Sequence, residues 1–168
     1  MKRGNTLGHT MQLRGHVTSG LGRASVFMAQ PHYQNQFKEL FEQTAWPGTL
    51  NVHVENDVLI RYIALRKLSG IDTLDADETL RERSTTIDTT SIEAIRIRGF
   101  LRDGVSFGGA TAFLGTISVN EISLDCAILI PDLTRHVDVI EIISPLFLRE
   151  TLNIEDGDEV HIEIHAQS

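Results

Sequence analysis

The chain has 168 residues, 41% of them hydrophobic and 23% charged, with a formal net charge of −8. That length suits one domain with a real core and is short for two, and the composition is that of an ordinary soluble globular protein. No apolar run reaches the length of a membrane span, the first nine residues lack the apolar core of a secretory signal, and the acidic balance weighs against non-specific binding to nucleic acid or a membrane surface.

Leu13 to Val17 reads as a short strand that runs into Ser19-Gly20-Leu21-Gly22-Arg23-Ala24-Ser25 and then the apolar Val26-Phe27-Met28. Pro31 and His32 open a helix, with Tyr33, Phe37, Leu40 and Phe41 on one face. Pro47-Gly48 ends that pattern. Leu50, Val52 and Val54 then alternate as a half-buried strand. Val58 to Leu65 is apolar, and periodicity does not separate strand from helix there. Lys67 to Ser91 is polar and reads as a surface insertion with one helical turn. Ile95 and Ile97 alternate with Arg96 and Arg98. Asp103-Gly104 marks a hairpin. Ala112 to Val119, Leu124 to Ile130 and Val137 to Ile143 are further strands. Ser144-Pro145 reads as a helix start, with Ser as N-cap and Pro at the first helical position. Asp156-Gly157 turns the chain into a last strand through Val160, Ile162 and Ile164. Strand spacing and repeated turns predict a mostly β chain, a small closed β-barrel with two or three short helices. The single cysteine, Cys126, leaves no intramolecular disulfide and sits in an apolar run as a buried structural thiol; a cytoplasmic location is the default.

Candidate chemistry starts at Trp46-Pro47-Gly48-Thr49-Leu50-Asn51. Residues two apart on a strand share a face, so Thr49 and Asn51 project a hydroxyl and an amide oxygen together while Leu50 points into a core. Two neutral oxygens suit a Mg²⁺ ion that arrives on nucleotide phosphates and keeps several waters; the same residues also fit an ordinary tight turn into a strand. The segment Ser19 to Arg23 can offer backbone N–H groups to an anion, with Arg23 adding a charged contact, or serve as a plain turn. It matches neither the Walker pattern nor the dinucleotide fingerprint. Thr134-Arg135-His136 suits an anionic or aromatic ligand, or a solvated loop. Glu141 interrupts Val139-Ile140-Glu141-Ile142-Ile143, where a carboxylate needs a cavity, a hydrogen bond or the solvent face. Arg149 can reach a nucleotide or pair with Glu150 or Glu155. The seven histidines form no metal-site pattern.

Taken together, these stretches resemble one family. Gly15-His16-Val17-Thr18-Ser19-Gly20-Leu21-Gly22 with Phe27, Tyr33 and Phe37, and Pro47-Gly48-Thr49-Leu50-Asn51-Val52, match the archaeal-type CTP-dependent riboflavin kinases. So do Ala127-Ile128-Leu129-Ile130-Pro131, Thr134-Arg135-His136, Ile140-Glu141-Ile142-Ile143-Ser144-Pro145, Leu148-Arg149-Glu150-Thr151-Leu152 and Asp156-Gly157-Asp158. The resemblance implies a cradle-loop, riboflavin-kinase-like barrel over 13–166, after an N-terminal tail of 1–12 and with the polar insertion around 67–91. It implies transfer of the γ-phosphoryl group of CTP to the 5′-hydroxyl of riboflavin, giving FMN and CDP. Thr49 and Asn51 match Mg²⁺ ligands. Gly20, Leu21, Gly22, Arg23, Ala24 and Ser25 match a nucleotide-binding segment, as do Leu146, Phe147, Leu148 and Arg149. Thr134 and Glu141 match flavin contacts, and Glu141 is the carboxylate to orient the flavin or accept the hydroxyl proton.

The loop departs from the family pattern. An acidic residue, a glycine and an arginine usually follow Gly-Leu-Gly, where this chain has Arg23, Ala24 and Ser25. Some relatives carry an N-terminal winged-helix domain; with a dozen residues before the first strand, none is expected here. Two other readings stand beside the kinase. One is a barrel that lost catalysis and senses a flavin or nucleotide. The other is a DNA-binding barrel of the AbrB type, suggested by Pro145 to Val160 and opposed by the net charge. The kinase reading expects neither nucleic acid nor membrane as a partner and is compatible with a monomer.

Overall fold

The computed structural model describes residues 10–20, 24–134 and 136–166. Among them the strands are β1 (Met11–Thr18), β2 (Leu50–His53), β3 (Ile95–Ile97), β4 (Phe100–Arg102), β5 (Val105–Phe107), β6 (Ala110–Val119), β7 (Ile122–Pro131), β8 (Val139–Ile143) and β9 (Glu159–Ile164). The helices are α1 (Ala24–Met28), α2 (Pro31–Phe41), α3 (Asn56–Leu68), α4 (Glu78–Ser84) and α5 (Leu148–Thr151).

Six strands close a barrel in the order β6-β7-β8-β2-β1-β9, with β9 returning to β6, and every pairing is antiparallel. One edge of β6 serves two partners. Ala110 to Ala112 pair with β3, and Gly115 to Ser118 pair with β9. At the closure a Cβ on Gly115 would lie 2.2 Å from the carbonyl oxygen of Glu163, so only glycine admits this approach. The barrel interior holds Leu13, Val17, Leu50, Val52, Phe113, Ile128, Ile140, Ile142, Val160 and Ile162. A second apolar cluster lies outside the barrel wall, where Tyr33 and Phe37 of α2 and Met28 of α1 pack on Ala112, Ala127, Leu129 and Ile143. The alternation read for β1 and β9 is the alternation observed.

Val58 to Leu65 is helix. Tyr62, Ile63, Ala64, Leu65 and Arg66 are buried in succession, so α3 is covered nearly all round and its sequence carries no helical stripe. The segment from Lys67 to Ser91 holds the end of α3 and the whole of α4. Asp77 caps α4 by accepting from the Leu80 N–H at 3.2 Å. The buried Arg66 guanidinium makes paired bonds to Asp75, both 3.1 Å, which fix the connection between these helices. The expected helix start at Ser144-Pro145 moves to Leu148, with Phe147 in the N-cap position. The Ser144 hydroxyl still accepts a backbone N–H, that of Leu146 at 3.3 Å, but in a turn ahead of the helix, and it donates to the Asp125 carbonyl at 2.7 Å. Asp103 and Gly104 turn the β4–β5 hairpin with both φ angles positive, 50° and 78°. Cys126 is buried, and burial pushes its thiol pKa up. Among the described residues no helix is long and apolar enough to cross a membrane.

Arg96 of β3 grips Asp132 after β7 with two bonds of 2.7 Å. The hydrogen bond from Arg96 holds the Asp132 carboxyl below its ordinary pKa against partial desolvation. A group with a depressed folded pKa stabilises above its unfolded pKa, and that contribution fades as pH falls through the folded value. Asp132→Asn should therefore lower stability by about 1 kcal/mol at pH 7 after allowance for solvent screening. That corresponds to about 2–4 °C in Tm, and the gap from wild type should close on acidification below about pH 4. Thermal melts of both proteins across that range check it; a gap that is constant with pH refutes the assignment.

Candidate functional site

Antiparallel register sets four side chains in a line across the outer wall of the barrel. Thr18 of β1 lies opposite Asn51 of β2, Asn51 opposite Glu141 of β8, and Glu141 opposite Leu129 of β7. Directly opposed residues share a face. Their chain neighbours Val17, Leu50, Val52, Ile128, Ile140 and Ile142 fill the interior, so this line faces outward.

Two cavities meet over the line. A polar one of about 710 Å³ is walled by Thr18, Ser19, Gly20, Ser25, Asn51 and Arg149 among others. An apolar one of about 530 Å³ is walled by Phe27, Tyr33, Phe37, Phe107, Leu129 and Leu133 among others. Ala24, Thr49 and Glu141 belong to both walls. A third hollow, about 60 Å³, adds Trp46, Leu146 and Phe147 and again includes Thr49 and Arg149. The Trp46 and Phe147 rings stack at 4.7 Å, 16° from parallel, and both are partly exposed.

Thr49 and Asn51 are brought together. The Thr49 hydroxyl donates to Asn51 Oδ1 at 3.0 Å. That bond turns the amide so that Nδ2 faces Gly20, where a Cβ would lie 2.3 Å away. The absence of a side chain at Gly20 thus lets the segment cross directly over the Asn51 amide. The donor set is two neutral oxygens, and among the described residues no group of three or more His, Cys, Asp or Glu can hold a metal ion. Such a pair fits a hard divalent cation that keeps waters and phosphate oxygens in its remaining positions. Glu141 is half-buried. Burial raises its carboxyl pKa, and the nearby His136 opposes that shift in part.

The other expected residues divide. Ala24 and Ser25, in the first turn of α1, wall the polar cavity, and Ala24 the apolar one as well. Leu148 is buried in the barrel core and anchors α5, while Leu146 and Phe147 stay exposed. Leu21, Gly22, Arg23 and Arg135 lie outside the described residues. Thr134 is not in the wall of either large cavity among the described residues; its N–H donates to the Pro131 carbonyl at 3.0 Å and its hydroxyl accepts from the His136 N–H at 3.2 Å. Sequence reasoning missed Trp46 as a partner of Phe147, and it missed Phe107 and Leu133 as cavity walls. Trp46 was visible only as an aromatic before Pro47-Gly48, and Phe107 as one before Gly108-Gly109.

Relatives with this sequence pattern carry a consistent name. A protein of Thermofilum pendens named riboflavin kinase is 33% identical over 157 residues, covering 92% of this chain and 59% of its own length. One of Halobacterium salinarum with the same name is 34% identical over 157 residues, covering 93% and 58%. One of Saccharolobus solfataricus, also named riboflavin kinase, is 28% identical over 159 residues, covering 94% and 76%. The chain thus spans about six-tenths of the first two and more of the third. A family model described as CTP-dep_RFKase, domain of unknown function DUF120, matches residues 17–85 and 72–164. With nearly the whole barrel covered, this chain belongs to that family.

Proposed function

We propose that the chain transfers the γ-phosphoryl group of CTP to the 5′-hydroxyl of riboflavin, giving FMN and CDP, with Mg²⁺ carried on the nucleotide and residues 13–166 acting as one catalytic barrel domain. The observation that carries this reading is the meeting of a polar and an apolar cavity at Thr49 and Glu141. Riboflavin is divided in the same way. Its flat ring suits a cavity walled by Phe27, Tyr33 and Phe107, and its ribityl chain then extends towards the polar side. The relatives' name and the family's description point to the same substrate and donor.

Phosphoryl transfer asks mainly for positioning and charge neutralisation. In this reading the phosphates lie against Ser19, Gly20, Ser25 and Arg149. Arg149 offers charge-assisted bonds to their oxygens. Thr49 and Asn51 hold the Mg²⁺, whose contribution is to neutralise charge on the β- and γ-phosphates. Glu141, standing in the wall common to both cavities, orients the ribityl hydroxyl or accepts its proton as the new O–P bond forms. Its raised pKa makes it a better base than an exposed carboxylate.

Incubation with riboflavin, Mg²⁺ and each of CTP, ATP, GTP and UTP should yield FMN with CTP. Flavin binding without FMN formation with any of the four would mark a sensor and overturn the kinase reading. Asn51→Ala should cut kcat by about 10²-fold or more while leaving the thermal melt unchanged; near-normal turnover at limiting Mg²⁺ would remove the metal assignment. Gly20→Ala pushes a methyl group against the Asn51 amide. It should raise the Mg²⁺ concentration for half-maximal rate by about tenfold, and a rate curve that does not move with metal concentration would show that the amide tolerates the displacement.

A further inference from the structure

We infer that Asp156 is a positioning residue for the nucleotide: from behind the polar cavity its carboxylate ties Arg149, on α5, to Ser19, where the glycine-rich segment leaves β1. The inference rests on the proposed reading of that cavity as the nucleotide site.

The carboxylate is divided between two partners. Ser19 Oγ donates to Oδ2 at 2.5 Å, and Arg149 Nη2 donates to Oδ1 at 2.7 Å. The same Nη2 reaches the Thr18 carbonyl at 3.4 Å. Thr18, Ser19 and Arg149 all stand in the cavity wall, and Asp156 does not. All the side-chain hydrogen bonds that Arg149 makes among the described residues use Nη2, so Asp156 holds the guanidinium by one corner. The remaining N–H groups of the fork are not engaged by Asp156, and a fork already oriented loses less freedom when an anion takes them.

The backbone beneath Asp156 is tied to the strand that leads into the loop. The Gly157 N–H donates to the Val17 carbonyl at 2.8 Å, and the Val17 N–H to the Asp158 carbonyl at 2.9 Å. Asp158 in turn accepts from the Glu155 N–H at 2.9 Å. The turn that carries the carboxylate is therefore tied to the end of β1. Its bonds to Ser19 and then to Arg149 keep its pKa below the ordinary carboxylate value, so it stays ionised where a triphosphate would bind.

That charge makes the proposal decidable by sign. A carboxylate beside a polyanion repels it, so a residue whose net effect is repulsion gives tighter nucleotide binding when neutralised. A positioning residue gives weaker binding. A surface ion pair without consequence gives no change. The test is equilibrium binding of CTP with Mg²⁺, and separately of riboflavin, to the full chain as wild type, Asp156→Asn, Arg149→Met and the double variant, each with a thermal melt. Asp156→Asn should weaken CTP about tenfold with riboflavin affinity and the melt nearly unchanged. In the Arg149→Met background the same substitution should cost no more than about threefold, because the group it orients is gone. Unchanged or tighter CTP binding, an equal loss in both backgrounds, or a parallel loss of riboflavin overturns the inference while wild-type nucleotide binding keeps the functional reading intact. A folded wild type that binds no nucleotide overturns both.

Discussion

The candidate site depends on one register, that of β2 between β1 and β8. Leu50 faces Ile142, and Val52 faces Ile140 and Val17, and these side chains are buried in the barrel. A slip of one residue would turn Asn51 inward and push Val52 to the wall. Exposing each aliphatic residue would forfeit about 1.5–3 kcal/mol, and an inward amide without a partner would add a penalty of about 1–3 kcal/mol. The interior thus decides the exterior. Once Leu50 and Val52 are packed, Thr18, Asn51, Glu141 and Leu129 must line up outside, although they come from four separate parts of the chain. That line runs from the polar cavity to the apolar one, the order that the proposed transfer from a phosphate donor to a flat aromatic acceptor would need.

If the chain binds a nucleotide as proposed, the net charge of −8 demands a local solution, because the long-range field opposes a polyanion. The structure concentrates that solution at the end of β1. Gly20 passes over the Asn51 amide, Ser19 bonds to Asp156, and Arg149 bonds to the same carboxylate. The segment that would meet phosphates therefore packs on the amide of Asn51, whose oxygen would meet their metal. A change in either displaces the other. Gly20 has two reasons to lack a side chain: access for a phosphate, which the sequence suggests, and clearance over Asn51, which only the fold reveals.

Legibility in the sequence follows the range of the interaction. Alternation exposes β1, β2 and β9; Pro31 and the Tyr33–Phe37 spacing expose α2; Asp103-Gly104 exposes its hairpin. Period two also places Thr49 beside Asn51 before any fold is known. The sequence hides α3, because a helix buried nearly all round has no stripe to read. It misplaces the start of α5, because the Ser144 hydroxyl closes a turn with the Leu146 N–H and the helix begins only at Leu148. The Ser19–Asp156 bond spans 137 residues, and no local rule reports such a pair. Thr134, which the resemblance gives as a flavin contact, is not among the described residues that wall the two large cavities, while its neighbours His136 and Leu133 are.

Thr49 is the residue at which these strands of argument converge. It is the first residue after Pro47-Gly48, it hydrogen-bonds Asn51, and it stands in the walls of the polar cavity, the apolar cavity and the small hollow beside the Trp46–Phe147 stack. A side chain at such a junction must be small enough to leave all three spaces open, and in the proposed reading it must carry an oxygen for the side that would meet the metal. It must also hold one rotamer so that the oxygen does not swing away. Threonine meets all three demands, since branching at Cβ restricts χ1 and the bond to Asn51 selects the rotamer that brings the two oxygens together. Serine would keep the oxygen and lose that restriction; valine would keep the shape and lose the oxygen. The methyl group has a use as well, because the apolar cavity needs a wall at the point where the flavin ring would give way to its ribityl chain. In the proposed reading the junction would therefore separate the environments of the two substrates while leaving the 5′-hydroxyl and the γ-phosphoryl group a common place to meet.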